Sequence, residues 1–289
     1  MNLEIVADFA CGCAEGPLWH PDHQKLYFTD VMASALYCLD PESGRSEKIY
    51  EGDRCIGGMT LHEDGRLLLF MDKATIALYN FDGEFEIVVP NVEGEEDSRF
   101  NDVVADPQGG VFCGTMPVGE RPGRLYYLAP DRTLVCIREE AGLPNGMDFS
   151  LDLDWFYFTD SHARTIERYP YHQSGANLSG GEVWVQVPEG EGNPDGLTVD
   201  SEGIVWSARY GGSCLVGYTP EGVEIERIDV PMARDVTCPV FAGAELRDLY
   251  ITTAGGFQVP KPGDSAGALL RIAHRGIGRR AFCSRFDRG

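Results

Sequence analysis

The sequence predicts an all-β protein: one six-bladed β-propeller domain over residues 1–289, with four-stranded blades around a central channel. Three observations predict it. Helical periodicity is almost absent, while 35 glycines and 17 prolines punctuate short β-branched and aromatic runs such as Lys25-Leu26-Tyr27-Phe28-Thr29 and Gly203-Ile204-Val205-Trp206-Ser207. A unit of apolar strand, turn rich in Asp, Gly or Pro, and second strand ending in a polar residue recurs six times. The copies follow one another at intervals of 42 to 50 residues, which suits one four-stranded blade per copy.

In chain order the copies occupy 15–30 (EGPLWHPDHQKLYFTD), 57–72, 101–116, 145–160 (NGMDFSLDLDWFYFTD), 195–210 and 238–253. Each supplies two strands. The other two strands of a blade fall in the intervals, as in Ala35-Leu36-Tyr37-Cys38-Leu39 and Glu47-Lys48-Ile49-Tyr50. A propeller closes on itself, so no linker is expected, and the segment 268–286 is expected to pair with amino-terminal strands and seal the ring.

Composition narrows the function classes. Basic residues number 24 and acidic ones 46, a formal charge of −22, and such a surface repels phosphate at long range. Nucleic acid and anionic membranes are thereby excluded as partners, and the large charge favours a monomer. Nine scattered cysteines without a C-x-x-C pair fit a reducing cytoplasm better than a disulfide framework. The first residues, Met1-Asn2-Leu3-Glu4-Ile5-Val6-Ala7-Asp8, lack a basic and an apolar targeting region, and no uncharged apolar run reaches spanning length, so a cytoplasmic protein is expected.

The register of the repeat carries functional information. Glu15, Gly57, Asn101, Asn145, Asp195 and Cys238 each open a copy, so they are equivalent positions. If each begins the innermost strand of its blade, all six lie at one mouth of the channel. Asn or Asp before Gly is commonly a turn residue, and that is the simpler reading of any one of them. Together, carboxylates from Glu15 and Asp195 with carboxamides from Asn145 and Asn101 form an oxygen set suited to Ca²⁺, Mg²⁺ or Mn²⁺. The six histidines share no competing ligand spacing, and Cys238 reads as a small packing residue below the metal.

At these residues the chain resembles the family of regucalcin (senescence marker protein 30), gluconolactonases and related sugar-lactone hydrolases. The matching motifs are Glu15-Gly16-Pro17-Leu18-Trp19, Arg99-Phe100-Asn101-Asp102, Gly114-Thr115-Met116, Leu143-Pro144-Asn145-Gly146-Met147, Pro194-Asp195-Gly196-Leu197 and Tyr210-Gly211-Gly212, in order along essentially the whole chain. The resemblance implies one divalent cation bound by Glu15, Asn145 and Asp195, calcium first, with Mg²⁺, Mn²⁺, Zn²⁺ and Fe²⁺ as alternatives. It also implies that Arg99 and Asn101 hold substrate oxygens. The chain departs from many animal members after Met116, where an acidic pair of the substrate pocket gives way to Pro117-Val118-Gly119-Glu120; Glu120 is the candidate replacement.

A cyclic ester needs a polarised carbonyl, an activated water and a stabilised oxyanion, and a divalent cation supplies the first and third as a Lewis acid. Asp195 is the candidate base, and a hydroxide carried by the metal is the competing nucleophile. Without the resemblance, Arg99 would read as an ion pair with the acidic run Glu93, Glu95, Glu96 and Asp97. Pocket walls are expected from the loops 93–98 and 189–193. The expected activity is therefore metal-dependent opening of an aldonolactone, of glucono- or pentonolactone type, to the sugar acid. The alternatives are a metal-dependent phosphotriesterase or arylesterase, or a non-catalytic calcium-binding or ligand-sensing propeller. Gly263-Asp264-Ser265-Ala266-Gly267 fits the serine-hydrolase elbow as a string, but it follows prolines and precedes a strand-like run where a helix is required.

Overall fold

A computed structural model describes residues 2–171, 177–256 and 265–287. Their 24 strands form six four-stranded antiparallel sheets, and no helix among the described residues is long and apolar enough to cross a membrane. The first strands of the blades are β2 (Ala14–His20), β6 (Ile56–Leu61), β10 (Phe100–Ala105), β14 (Pro144–Phe149), β18 (Asn193–Val199) and β22 (Asp235–Ala242). They touch one another in cyclic order, β22 returning to β2, and so form the channel wall of a six-bladed β-propeller.

Strand position within a blade follows burial. Second strands such as β7 (Leu67–Met71) and β15 (Trp155–Asp160) are packed on both faces and read as near-continuous apolar runs. Outer strands such as β5 (Arg45–Glu51) expose charged residues on one side. The core lies between blades. Phe70 of the second blade meets Phe100 of the third edge to face at 5.3 Å, and Phe112 of the third stacks on Phe156 of the fourth at 4.3 Å. Each such buried ring contributes about 1.5–3 kcal/mol, which locks neighbouring blades face to face.

The sixth blade closes the ring with strands from both ends of the chain. β1 (Leu3–Asp8) pairs β24 (Ala268–Ile272), with Leu3 opposite Ile272 and Asp8 opposite Ala268. The predicted sealing by 268–286 therefore holds for its first five residues only. From 273 onward the chain runs as a strap across the far end of the channel. Its backbone bonds Leu246, Ser201, Leu61, Gly109 and Pro130, which lie in the sixth, fifth, second and third blades. Arg275 of the strap pairs with Glu226 and lies 4.3 Å over Trp206, while Arg279 bonds Asp148. Between strap and mouth lies a cavity of about 370 Å³ lined by Trp19, Met59, Asp102, Met147, Phe241 and Phe282 among others.

His172 and the segment 257–264, including Gly263 and Asp264 of the elbow-like string, lie outside the described residues. Directly after that string comes the strand β24, as the turn reading of it requires.

Candidate active site

All six innermost strands carry a register shift near the position that the repeat marked. The shifts fall between Glu15 and Leu18, Ile56 and Gly58, Phe100 and Val103, Asn145 and Met147, Pro194 and Leu197, and Val236 and Pro239. A bulge sets two residues against one, bends the strand and re-aims a side chain. Asn145-Gly146 and Asp195-Gly196 are thus bulge residues inside strands, not turn residues. Their glycines answer to the neighbouring strand. A Cβ at Gly146 would lie 2.4 Å from the Leu197 amide nitrogen, and one at Gly196 would lie 2.5 Å from Cys238 Sγ. The innermost strands converge too closely at the axis for any side chain there.

In the first and fourth copies the closing position has a different task. Asp30 accepts bonds from the amides of Gly12 and Cys13, and Asp160 from that of Leu143. Each carboxylate pins the loop that enters its own blade's innermost strand.

Around the mouth the polar side chains form a directed chain of donors. Arg99 Nη1 donates to Asn101 Oδ1 at 2.9 Å, and Asn101 Nδ2 donates to Asn145 Oδ1 at 3.1 Å. Asn145 Nδ2 then donates to Ser161 Oγ at 2.9 Å, and Ser161 Oγ to the Pro194 carbonyl at 2.6 Å. Both carboxamide oxygens keep a second lone pair. Arg99 also donates to the Phe100 carbonyl at 2.8 Å, and it reaches this place because Gly57 has no side chain: a Cβ there would lie 3.3 Å from Arg99 Nη1 and 1.9 Å from the Phe100 oxygen. The acidic run does not hold Arg99. Glu95 and Asp97 pair instead with Arg121, and Glu95 with Arg124.

Carboxylates dominate the electrostatics. Glu15 and Asp195 are 7% and 4% exposed, and burial pushes both well above the usual carboxylate range. Asp195 and Asp102 raise Glu15 further, and Asp102 and Asp235 raise Asp195, while Arg99 opposes each shift. Asp102 is raised to about 7 by burial, against the pull of Arg99. The thiols of Cys13 and Cys238 are pushed up by burial and then by these acids, so neither is a ready thiolate ligand.

Three further groups stand at the mouth: Tyr210 closes the fifth copy of the repeat, while Asp102 and Asp235 hold neither of its marked positions. Asp102 shares the bulge of Asn101, but it stands one residue off the repeat's register, so the interval alone did not mark it. Tyr210 stands 39% exposed at the mouth, its hydroxyl pushed up to about 12 by burial and by Asp235, Cys13, Asp195 and Glu15. Asp235 opens β22 within range of Asp195. Glu120 sits exposed in the turn between Val118 and Arg121, and among the described residues it makes no hydrogen bond or ion pair.

The chemistry of the donor set suits a divalent cation, although among the described residues no three His, Cys, Asp or Glu side chains stand together as a ready metal cluster. The set is made of oxygens, with several desolvated carboxylates facing one partly buried arginine, and hard cations take carboxylate and carboxamide oxygens. An uncompensated cluster of buried like charges is costly, and a cation among these oxygens would relieve it.

A family profile described as "SMP-30/Gluconolactonase/LRE-like region" matches residues 13–255. The chain is 42% identical over 291 residues to the pentonolactonase XacC of Haloferax volcanii, covering 98% of both chains. It is 27% identical over 293 residues to bovine regucalcin, covering 96% of both. Among solved structures it superposes with a TM-score of 0.87 on a regucalcin from Agrobacterium tumefaciens described as a calcium-binding protein, at 23% identity and covering 98% of this chain and 96% of that one.

Proposed function

The chain belongs to the SMP-30/gluconolactonase/LRE-like family, and from that premise we propose that it hydrolyses a sugar lactone, of pentono- or gluconolactone type, to the open sugar acid with the help of one divalent cation. The observation that carries this reading is the pair of buried carboxylates, Glu15 and Asp195, brought to one mouth of the channel beside Asn145, Asn101 and Arg99. The 42% identity to a pentonolactonase supports the substrate class. The description of a structural relative as calcium-binding, together with the oxygen-only donor set, supports calcium as the first choice of ion. Nine free cysteines support a reducing, cytoplasmic setting, and the charge of −22 supports a monomer.

Glu15, Asn145 and Asp195 would hold the ion, and Asn101 stands close enough to Asn145 to contribute. When bound, the ion supplies Lewis acidity to the lactone carbonyl and keeps its carboxylates ionised. The remaining work falls to the protein's own groups. Arg99, fixed by the Asn101 side chain and the Phe100 carbonyl, donates its free N–H groups to hydroxyl or ring oxygens of the substrate. Asn101 orients the same substrate oxygens, and Glu120 accepts from a distal hydroxyl. Asp195 takes a proton from the attacking water as its oxygen bonds the carbonyl carbon. The tetrahedral oxyanion then collapses, the ring C–O bond breaks, and the leaving alkoxide recovers that proton. The product is the hydroxy acid.

The test is pH-stat hydrolysis of five- and six-carbon aldonolactones by metal-stripped protein, before and after adding Ca²⁺, Mg²⁺, Mn²⁺, Zn²⁺ or Fe²⁺. Restoration by an ion, well above the spontaneous rate, is the expected result. A folded protein that binds an ion and opens no lactone overturns the reading in favour of phosphotriester hydrolysis or binding without catalysis.

A further inference from the structure

Beside the mouth, one carboxylate is fully buried and fully engaged. Glu95 is 0% exposed, and it meets Arg121 Nη1 at 2.8 Å, Arg124 Nη1 at 3.1 Å and the Tyr126 hydroxyl at 3.0 Å. These partners belong to the segment that leaves Met116, while Glu95 belongs to the loop that leads into Arg99. The ion pairs therefore tie together the two loops on either side of the arginine. Arg121 also bonds Asp97 at 2.7 Å, which fastens the same two loops a second time.

Both loops are held to Arg99 through the backbone. The Ser98 amide donates to the Glu95 carbonyl at 3.0 Å, and Ser98 Oγ donates to the Met116 carbonyl at 2.8 Å. The Met116 amide donates to the Arg99 carbonyl at 2.9 Å. Farther along, Val118 and Arg121 exchange both backbone bonds, at 2.9 and 3.0 Å, and fix the turn that presents Glu120. A buried carboxylate between two arginines is not needed for stability, since apolar packing of the same volume serves as well or better. Such an ion pair does fix geometry, because the planar guanidinium accepts few orientations.

We propose that Glu95 is a positioning residue for the substrate clamp: it holds the wall 117–124 and the backbone of Arg99 in one arrangement, and so sets how tightly a polyhydroxylated lactone is held. The proposal rests on the lactonase reading above. A lactone ring without hydroxyls offers the wall nothing to grip and Arg99 no more than its ring oxygen, so its binding should depend far less on Glu95.

The experiment compares wild type, Glu95→Gln and Arg121→Gln, all loaded with the activating ion, on a pentonolactone and on γ-butyrolactone. In both variants KM for the pentonolactone should rise about tenfold with kcat within about twofold, while KM for γ-butyrolactone should change less than about twofold. Hydrogen exchange of the Val118 and Arg121 amides should quicken in parallel. Equal losses on both lactones, or a fall in kcat with KM unchanged, would overturn the positioning role and leave the lactonase reading standing. A wild type inactive on every lactone overturns the lactonase reading itself, and unchanged amide exchange in Glu95→Gln then overturns the positioning role as well. Should Glu95→Gln fail to fold, Arg121→Gln, altered at the half-exposed partner, decides by the same comparison.

Discussion

At the far end of the channel, Asp148 accepts bonds from the amides of Phe149 and Val199, each at 2.8 Å, and from Arg279 of the strap. At the near mouth, Glu15, Asp102 and Asp195 receive no hydrogen bond from any side chain among the described residues, and Arg99 is the cation whose field reaches all three. The same functional group on the same set of strands is thus saturated at one end and left open at the other. Pairing at the far end serves closure of the ring. Its absence at the mouth leaves carboxylate oxygens without partners, as the proposed cation and substrate would require.

The sharpest way to break this contrast is to neutralise the open end. Glu15→Gln or Asp195→Asn should lower kcat/KM on an aldonolactone by about a thousandfold or more. The metal-free midpoint of thermal unfolding should meanwhile rise by about 2 °C, because one acid that must be buried charged or take up a proton is gone. A variant that loses activity by unfolding would erase the distinction between the two ends. Next in size is the response to the ion: a divalent cation at a hundred times its Kd should stabilise the wild type by about 2.7 kcal/mol and Asp195→Asn hardly at all, as a thermal-shift titration reads directly.

At the paired end, Arg279→Ala should cost about 2 kcal/mol of stability in urea and leave kcat/KM within about twofold. A large loss of activity there would mean that the strap acts on the mouth. The smallest effect concerns acid. Asp64, near the strap, is pushed up by burial, but Arg66 and His62 outweigh this and hold it at about 2. A carboxyl held below its unfolded value stabilises above that value, and the contribution fades as pH falls from about 4 towards 2. At 40% exposure this amounts to a few tenths of a kcal/mol, so Asp64→Asn should only slightly flatten the acid limb of the unfolding curve.

The ring and the equivalence of Glu15, Asn101, Asn145 and Asp195 were legible because a propeller repeats its register, and a fixed interval in sequence becomes a fixed height on the axis. Asp102 was not, because its equivalents in the other copies are Gly16, Gly58, Gly146, Gly196 and Pro239, so no oxygen-bearing side chain recurs at that position. The strap was equally hidden: it has no alternation of its own, and its partners Leu61, Gly109, Ser201 and Leu246 are scattered over four blades. Glu95 looked like one member of an acidic run. Nothing local set it apart from Glu93 or Glu96, since Arg121, Arg124 and Tyr126 lie 26 to 31 residues away.

The pairing of β1 with β24 also bears on how the chain is made. Leu3 leaves the ribosome about 270 residues before its partner Ile272, and at about 5–20 residues per second that is a wait of roughly 13–54 s. Throughout it the first strand has no edge to join, and the sixth sheet lacks its outermost member. The five blades built from consecutive strands can form during synthesis, whereas the last must await both ends. Vectorial folding thus leaves this seam until last, and a chaperone acting on the nascent chain would find its longest-lived exposed strand at residues 3–8.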